Sequence, residues 1–306
     1  MYSVVKNGFA SKKIIGITFA FIAAIGFSAK AIMVKLAYVE GVDAITLLAL
    51  RMAFSAPFFL VVAWFSSTNR SSEPLTNQDK TAVVALGLLG YYLASYLDFM
   101  GLQTISAGLE RLILFLYPTM VVVISALVYK RRVGHTVLLA LFISYAGIAL
   151  VFLHDMNILQ HDVMRGSILI FSSALSYAIY LVGAGQVIGK MGATRFTAYV
   201  MTVACIACLL QFAMTHPLAD LQLSSRVYGL SVAMAVFSTV LPAFLLAAAM
   251  KRIGSSYTAM VGSVGPVSTI FLAYIFLGET LSMMQIGGSI LVLAGVLMIS
   301  LKKSSA

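Results

Sequence analysis

Charged residues are scarce in this chain: Asp, Glu, Lys and Arg make up 10% of its 306 residues, whereas hydrophobic residues make up 61%. Soluble globular domains carry about 25% charged residues, so this sequence lacks the polar side chains needed to cover a water-exposed surface. The mean hydropathy of +1.01 agrees. The composition excludes a soluble globular protein and favours one whose solvent is the lipid bilayer.

Cysteine is nearly absent as well. Cys205 and Cys208 lie in one apolar segment, with no histidine or carboxylate at metal-ligand spacing. Such a pair is typical of small core residues, so we expect no metal site and no cofactor. A Gly-x-x-x-x-Gly-Lys-Ser/Thr phosphate loop is also missing, which argues against an ATP-driven pump within this chain.

Long apolar runs are what the sequence has instead. A membrane-spanning helix needs about 20 mostly apolar residues, and the pattern predicts ten such spans joined by short connections. The first run exceeds the apolar core of a signal peptide, about 7–15 residues, and is expected to be retained. The predicted spans of this all-α membrane protein cover about residues 14–38, 43–65, 82–102, 106–128, 136–153, 166–188, 195–214, 227–249, 255–277 and 283–301.

The basic residues are unevenly divided between the two sides that these spans define. With the N-terminus in the cytoplasm, fourteen Lys and Arg lie on the cytoplasmic side and three within spans, while Lys35, Arg165 and Arg226 lie on the opposite side. Cytoplasmic loops carry such an excess. The distribution predicts that both termini are cytoplasmic, and it explains the net charge of +10 without a nucleic-acid partner.

The second half of the chain repeats the first. A shift of 148 positions places Pro118 on Pro266, in an alignment without gaps through the fourth and fifth spans of each half. We predict one repeat in residues 1–153 (spans 1–5) and another in residues 154–306 (spans 6–10). Because five is odd, the second repeat must be inverted relative to the first. Inverted repeats are typical of secondary transporters, whose sites lie near the bilayer midplane.

Five charged residues lie inside spans of the first repeat: Lys30, Arg51, Asp98, Glu110 and Arg111. A charge near the bilayer centre costs about 2.5–3.5 kcal/mol on insertion scales, so such residues are functional candidates. At about 1.5 Å per helical residue, all five lie in the non-cytoplasmic half of the membrane. We interpret them as a network that lines a polar vestibule.

Three interpretations of these charges stay open. The first is structural ion pairing, such as Asp98 with Arg51 or Arg111, and the second is a substrate-binding or coupling site. The third is that the side chains reach towards the lipid headgroups. Lys30 is the strongest functional candidate because it is deeply placed and has no evident partner in its own helix. The excess of one positive charge favours a substrate with a carboxylate or another anionic group. Protonation of Asp98 or Glu110 would couple proton flow to transport, which makes the proton a candidate coupling ion.

Tyrosines are further candidates for the cavity wall. Tyr117 and Tyr180 lie nearer mid-membrane than the residues of an interfacial belt, and a buried hydroxyl there needs a partner. They are expected either to line the cavity, together with residues such as Tyr91 and Tyr177, or to pack in the core.

Four prolines fall inside predicted spans. Each removes a backbone donor and is predicted to kink its helix, either as a packing feature or as a hinge for alternating access. They are Pro57, Pro118, Pro242 and Pro266.

The end of the chain resembles a known family. The segments Leu277-Gly278-Glu279-Thr280, Ile286-Gly287-Gly288 and Leu293-Ala294-Gly295-Val296, with the five-plus-five repeat, resemble the EamA-like branch of the drug/metabolite transporter superfamily. The first repeat departs from this pattern, since Lys130-Arg131-Arg132 replaces the Gly-Glu-Thr element. We expect Glu279 to be a helix-end carboxylate at the membrane surface. The resemblance implies a central cavity, the inner membrane of a bacterium, and transport of small metabolites, frequently outward.

The sequence thus predicts a secondary transporter or permease for a small metabolite, such as an amino acid or a related compound, with export as the expected direction. A facilitator or exchanger of nucleoside- or sugar-type metabolites is the alternative within this class. An intramembrane enzyme acting on lipid is the alternative from another class, but all four histidines lie at span ends or in loops, so no enzymatic activity is expected. The expected partners are the lipid bilayer, a small-molecule substrate and a proton as a candidate coupling ion; the oligomeric state is left open.

Overall fold

The computed structural model describes residues 2–67, 75–130, 134–159, 162–262, 264–279 and 282–303. All regular secondary structure in these ranges is helical. Eight helical segments are long and apolar enough to cross a bilayer, and two shorter apolar helices, Val264–Leu277 and Met283–Met298, lie where the last two spans are predicted. The exterior is apolar; Phe142, for example, is 73% exposed. The prediction of an all-α membrane protein with ten spans is confirmed.

The helices follow the predicted order of spans. The first three spans are Tyr2–Val39, Ala44–Ser67 and Asn77–Gly87 continuing through Leu88–Leu93 and Ala94–Leu102. The next four are Ala107–Leu114 with Tyr117–Val128, then His135–Leu159, Val163–Met191 and Ala193–Thr215. The short 3-10 helix Leu218–Leu221 precedes the last three spans, which are built from Ser225–Ala235, Val236–Val240, Leu241–Gly262, Val264–Leu277 and Met283–Lys303.

Local sequence signals set several helix ends. Thr76 and Asp79 form a reciprocal capping box at the start of the third span, and Ser224 accepts a backbone hydrogen bond at the start of the eighth. Such caps satisfy N–H groups that have no partner within the helix. Gly41 and Gly192 adopt positive φ at the tight turns that follow the first and sixth spans, where glycine avoids steric strain.

The fourth span is broken into two helices. Ala107–Leu114 is followed by Tyr117–Val128 after a turn at Phe115 and Leu116. Discontinuous helices inside the membrane are typical of transporter substrate sites.

The chain reverses direction within the helical segment Leu241–Gly262. Gly16 lies against Ile253, whereas Ser28, about 18 Å farther along the same straight helix, donates a hydrogen bond to the carbonyl oxygen of Gly265 at 2.9 Å. If the helix ran straight on past Ile253, its end at Gly262 would lie far from Ser28. The three residues from Gly262 to Gly265 span at most about 11 Å, which is too short to bring Gly265 back to Ser28. The eighth span therefore ends near Ile253, close to its predicted end.

The third and eighth spans share an irregularity that the sequence did not indicate. A π-helical turn occupies Leu88–Leu93 in the third span and Val236–Val240 in the eighth. The two turns begin 148 positions apart, at equivalent places in the repeats. π turns frequently occur at functional sites.

The packing of the spans follows a two-fold pattern. Span 1 packs along spans 8 and 9, and span 6 packs along spans 3 and 4. Span 2 packs on span 7, and span 5 packs on span 10. Exchanging the two halves of the chain maps each of these pairs onto another or onto itself. This is the relation that two inverted five-helix repeats produce, although the boundaries at residues 153 and 154 stay predictions.

Small residues allow the closest of these contacts. A β-carbon added to Gly147 would lie 2.5 Å from the carbonyl oxygen of Gly288 in the facing span, and a β-carbon added to Gly288 would lie 2.5 Å from the carbonyl oxygen of Gly147.

In the second and seventh spans, the Sγ atom of Cys205 lies 3.9 Å from the Sδ atom of Met52. Cys205 and Cys208 are free and buried.

Ion pairs join connections that were predicted to share one side of the membrane. Arg226 Nη1 lies 2.9 Å from Glu40 Oε1 and links the connections after spans 1 and 7. At the other end of the bundle, Lys190 Nζ lies 3.0 Å from Asp79 Oδ1 and links the end of span 6 to the start of span 3. The grouping of these loops agrees with the alternation of ten spans.

Candidate functional site

Three of the five intramembrane charges meet at one point. The Nζ atom of Lys30 forms an ion pair with Asp98 and a second with Glu110, whose Oε1 atom lies 2.9 Å away. The side chains of Lys30, Asp98 and Glu110 are 13%, 5% and 0% exposed, respectively. They come from spans 1, 3 and 4, so this interior triad joins three helices inside the bundle.

Glu110 is positioned by the short helix Ala107–Leu114. The Oγ atom of Ser106 accepts a hydrogen bond from a backbone N–H of the first turn at 3.0 Å. The N–H of Ala107 donates to Glu279 at 2.9 Å. Glu110 lies in that first turn, where the partial positive charge of the helix N-terminus favours a carboxylate. The broken fourth span thus fixes the acidic residue opposite Lys30.

Arg51, on the second span, lies beside the triad and contacts the third span. Its guanidinium carbon is 4.9 Å from the centroid of the Phe99 ring, and its Nη2 atom donates to Ser95 at 3.1 Å. A desolvated cation–π contact contributes about 2 kcal/mol. These neighbours flank Asp98 in sequence, yet Asp98 forms its ion pair with Lys30 instead. Arg51 is therefore held mainly by an aromatic ring and a hydroxyl group.

Arg111 points away from its neighbour Glu110. Consecutive helical residues project about 100° apart, so Glu110 faces span 1 while Arg111 faces span 9. The Nη2 atom of Arg111 lies 2.7 Å from the position of a β-carbon on Gly265. Its Nε atom is buried without a hydrogen-bond partner in the described part of the chain.

Tyr117 and Tyr180 belong to one aromatic cluster with Tyr91 and Tyr177. The ring centroids of Tyr117 and Tyr177 are 5.3 Å apart, those of Tyr177 and Tyr180 are 5.5 Å apart, and those of Tyr91 and Tyr180 are 5.2 Å apart. Tyr180 also stacks on Phe196 of the seventh span. Tyr180 is buried, whereas the other three tyrosines keep partial exposure. We call these four residues the tyrosine cluster.

The prolines occupy two kinds of position. Pro266 is buried in the ninth span, whereas Pro118 lies at the N-terminal end of the second helix of the broken fourth span, where a missing N–H removes no intrahelical hydrogen bond. The chain is broken there rather than bent within one helix. Pro242 lies two residues beyond the end of the π turn Val236–Val240, and Pro57 lies inside the second span.

A polar cluster at one end of the bundle was not expected from the sequence. Glu279 accepts its hydrogen bond from Ala107, which is 172 residues away in the chain. Asp155 accepts one from the backbone N–H of Ser106 at 3.2 Å. Burial raises the pKa of Glu279 above its ordinary value of 4.5, while the N–H donors and the charge of Lys35 act in the opposite direction. Glu279 thus caps the helix that carries Glu110. The Gly-Glu element drew attention to Glu279 in the sequence, but its partner Ala107 lies too far along the chain for the contact to be predicted.

The interior triad has unused hydrogen-bonding capacity. Asp98 Oδ1 and Glu110 Oε2 are buried and lack a partner among the described residues. Leaving such an atom unsatisfied costs about 1–3 kcal/mol, and more for a charged group. A proton or a donor group of a ligand would satisfy either atom. Within the described ranges, no group of three or more His, Cys, Asp or Glu residues could hold a metal ion.

Comparison with known proteins places this site in a transport context. The model of the EamA-like transporter family matches residues 14–153 and again residues 164–301. The uncharacterized transporter YcbK of Bacillus subtilis (strain 168) is 31% identical over 290 residues, which cover 92% of each chain. The uncharacterized transporter YyaM of the same organism is 24% identical over 81% of each chain.

A further relative and a solved structure are also similar to this chain. An uncharacterized transporter of Archaeoglobus fulgidus is 27% identical over 67% of this chain and 70% of its own length. A protein of known crystal structure, 16% identical, superimposes with a TM-score of 0.66 over 95% of this chain and 96% of the other. That likeness supports the fold.

Proposed function

Because the chain belongs to the EamA-like transporter family and is a multi-pass membrane transporter, we propose that it exports a small metabolite, such as an amino acid or a related compound, by alternating access. The observation that supports this most strongly is the interior triad. Lys30 is held between Asp98 and Glu110 inside the bundle, although each of these charges costs free energy in a membrane. A purely structural role would not require two carboxylates that each keep an unsatisfied oxygen.

The triad supplies a route for proton coupling. A proton on Glu110 or Asp98 would weaken one ion pair to Lys30 and free the ammonium group for the other. Because the three residues lie on spans 1, 3 and 4, such a change alters contacts between helices rather than within one. Proton binding would in this way bias the packing of the bundle, which is the requirement for coupling to alternating access.

The halves that move are proposed to be residues 1–153 and 154–306. The two-fold packing of the spans and the paired π turns support this division. We place the protein in the bacterial inner membrane with both termini in the cytoplasm, on the basis of its Lys and Arg distribution. Single cysteines introduced at residue 6 or 303 of a Cys205→Ser/Cys208→Ser protein would react with an impermeant maleimide only after the membrane is opened.

Counterflow in liposomes tests the transport proposal. Purified protein is reconstituted, and uptake of a labelled amino acid is measured against an internal excess of the same compound, with each common amino acid tested in turn. Saturable counterflow that requires the protein would support the carrier. Nucleosides and sugars form a second panel, and flux confined to that panel would replace the amino-acid assignment. Chemical conversion of a lipid without flux would contradict transport.

A further inference from the structure

Of the three cations within the spans, Arg51 and Arg111 form no ion pair among the described residues. Lys30 is paired with two carboxylates. Arg51 is stacked on Phe99 and bonded to Ser95, although its Nε atom has no hydrogen-bond partner in the described ranges. Arg111 forms neither an ion pair nor a hydrogen bond through its buried Nε atom within the described ranges. A buried guanidinium is stable when an anion occupies its donors.

The surroundings of Arg111 add to this preference for an anion. Arg111 lies in the last turn of the first helix of span 4, and the second helix begins at Tyr117 after a break of two residues. Tyr117 is about 15 Å from the start of the span, which is near the bilayer middle. A 12-residue helix therefore begins six residues after Arg111, inside the membrane. Helix N-termini favour negative charge.

The tyrosine cluster borders the same break. Tyr117 is itself a member and follows Arg111 by six residues in the same span, and its ring centroid lies 5.3 Å from that of Tyr177. Tyr91, Tyr117 and Tyr177 come from spans 3, 4 and 6, and each keeps partial exposure inside the bundle. Their centroid distances and near-perpendicular planes are those of edge-to-face aromatic contacts. A flat ring could pack among them in the same way.

We propose that Arg111 and the tyrosine cluster form a binding site for an aromatic monocarboxylate, with the carboxylate on the guanidinium and the ring among the tyrosines. This inference rests on the proposed transport function and names its substrate class. It also moves the anion-binding role from Lys30, where the sequence placed it, to Arg111. An aromatic cluster alone could instead hold a cation, but the adjacent guanidinium would repel one.

Ligand-observed fluorine NMR on the purified full-length protein in detergent tests the site. The probe is para-fluorophenylacetate, compared with para-fluorophenylacetamide, para-fluorobenzylamine and fluoroacetate. We expect saturable binding of the aromatic carboxylate and at least about tenfold weaker binding of the other three, because each lacks either the charge or the ring. Equal binding of the amide or the amine would overturn the proposal, and this comparison requires no variant.

Variants then locate the binding. Arg111→Gln should weaken para-fluorophenylacetate binding at least about tenfold, and Tyr177→Ala should do the same, whereas Tyr177→Phe should retain the affinity. Arg226→Gln and Tyr274→Ala change exposed residues and are the matched controls. Unchanged affinity in a folded Arg111→Gln protein would overturn the proposal.

Counterflow on the same preparation separates this inference from the transport proposal. Flux of a labelled amino acid without saturable binding of para-fluorophenylacetate would overturn the aromatic carboxylate site and leave the carrier intact. Arg111-dependent binding without flux of any tested compound would support the site and contradict transport.

Discussion

The Nη2 atom of Arg111 lies 2.7 Å from the point that a β-carbon on Gly265 would occupy. A side chain at position 265 would therefore clash with the guanidinium group. Gly265→Val should displace Arg111 and reduce transport activity about tenfold or more, while the melting temperature falls by a few degrees. Gly262→Val is the matched control, because a β-carbon there meets nothing within 4 Å. Equal activity of the two variants in liposome flux would contradict the positioning of Arg111 by Gly265.

Neighbouring glycines of the tenth span should respond differently to the same substitution. A β-carbon on Gly288 would lie 2.5 Å from the Gly147 carbonyl oxygen, whereas one on Gly287 would meet nothing within 4 Å. Gly288→Ala should destabilise the protein by about 1–3 kcal/mol through overpacking, and Gly287→Ala should leave stability unchanged or raise it slightly. Thermal unfolding of both variants in one detergent checks this, and equal melting temperatures would exclude close packing of spans 5 and 10.

Glu279 should make stability depend on pH. Since burial raises its pKa above 4.5, the folded state holds the proton more tightly than the unfolded state does. The contribution of this group to stability is then complete below pH 4.5 and is lost as the pH rises through the folded pKa. Relative to Glu279→Gln, the wild-type protein should therefore lose melting temperature between pH 4.5 and pH 8. A constant difference across that range would show that the carboxylate does not titrate in this way.

The spans and the level of the charges were accessible from the sequence, because a bilayer imposes an apolar run of fixed length and a helix has a fixed rise per residue. The depth argument placed Lys30, Asp98 and Glu110 at one level. It could not pair them, since the rotation of each helix about its axis depends on contacts 68 and 80 residues away. The partner of Glu279 was inaccessible for the same reason.

Other features had no sequence signal of their own. The π turn at Leu88–Leu93 lies in an apolar run that an α-helix would fit equally well, and in the fold it packs against the sixth and seventh spans. Pro118 indicated an irregularity, but proline is compatible both with a kink inside a helix and with the first turn of a new one. The tertiary structure selects the second arrangement.

Removal of the lysine should have a different effect from removal of the whole interior triad. Lys30→Met leaves the carboxylates of Asp98 and Glu110 buried without their cation and should destabilise the protein by about 3–5 kcal/mol. The triple variant Lys30→Met/Asp98→Asn/Glu110→Gln removes all three charges and should recover most of that stability. Melting temperatures in detergent check this; a triple variant as unstable as Lys30→Met would contradict the paired geometry.

The most direct test of a transport role for the triad is counterflow in liposomes with that stable triple variant. Lys190→Met/Asp79→Asn removes an ion pair at the end of the bundle, where the lysine side chain is 64% exposed, and is the matched control. We predict that the control keeps wild-type flux while the folded triple variant loses at least about 90% of it and no longer responds to an imposed pH gradient. Wild-type flux and wild-type pH response in the triple variant would contradict the account.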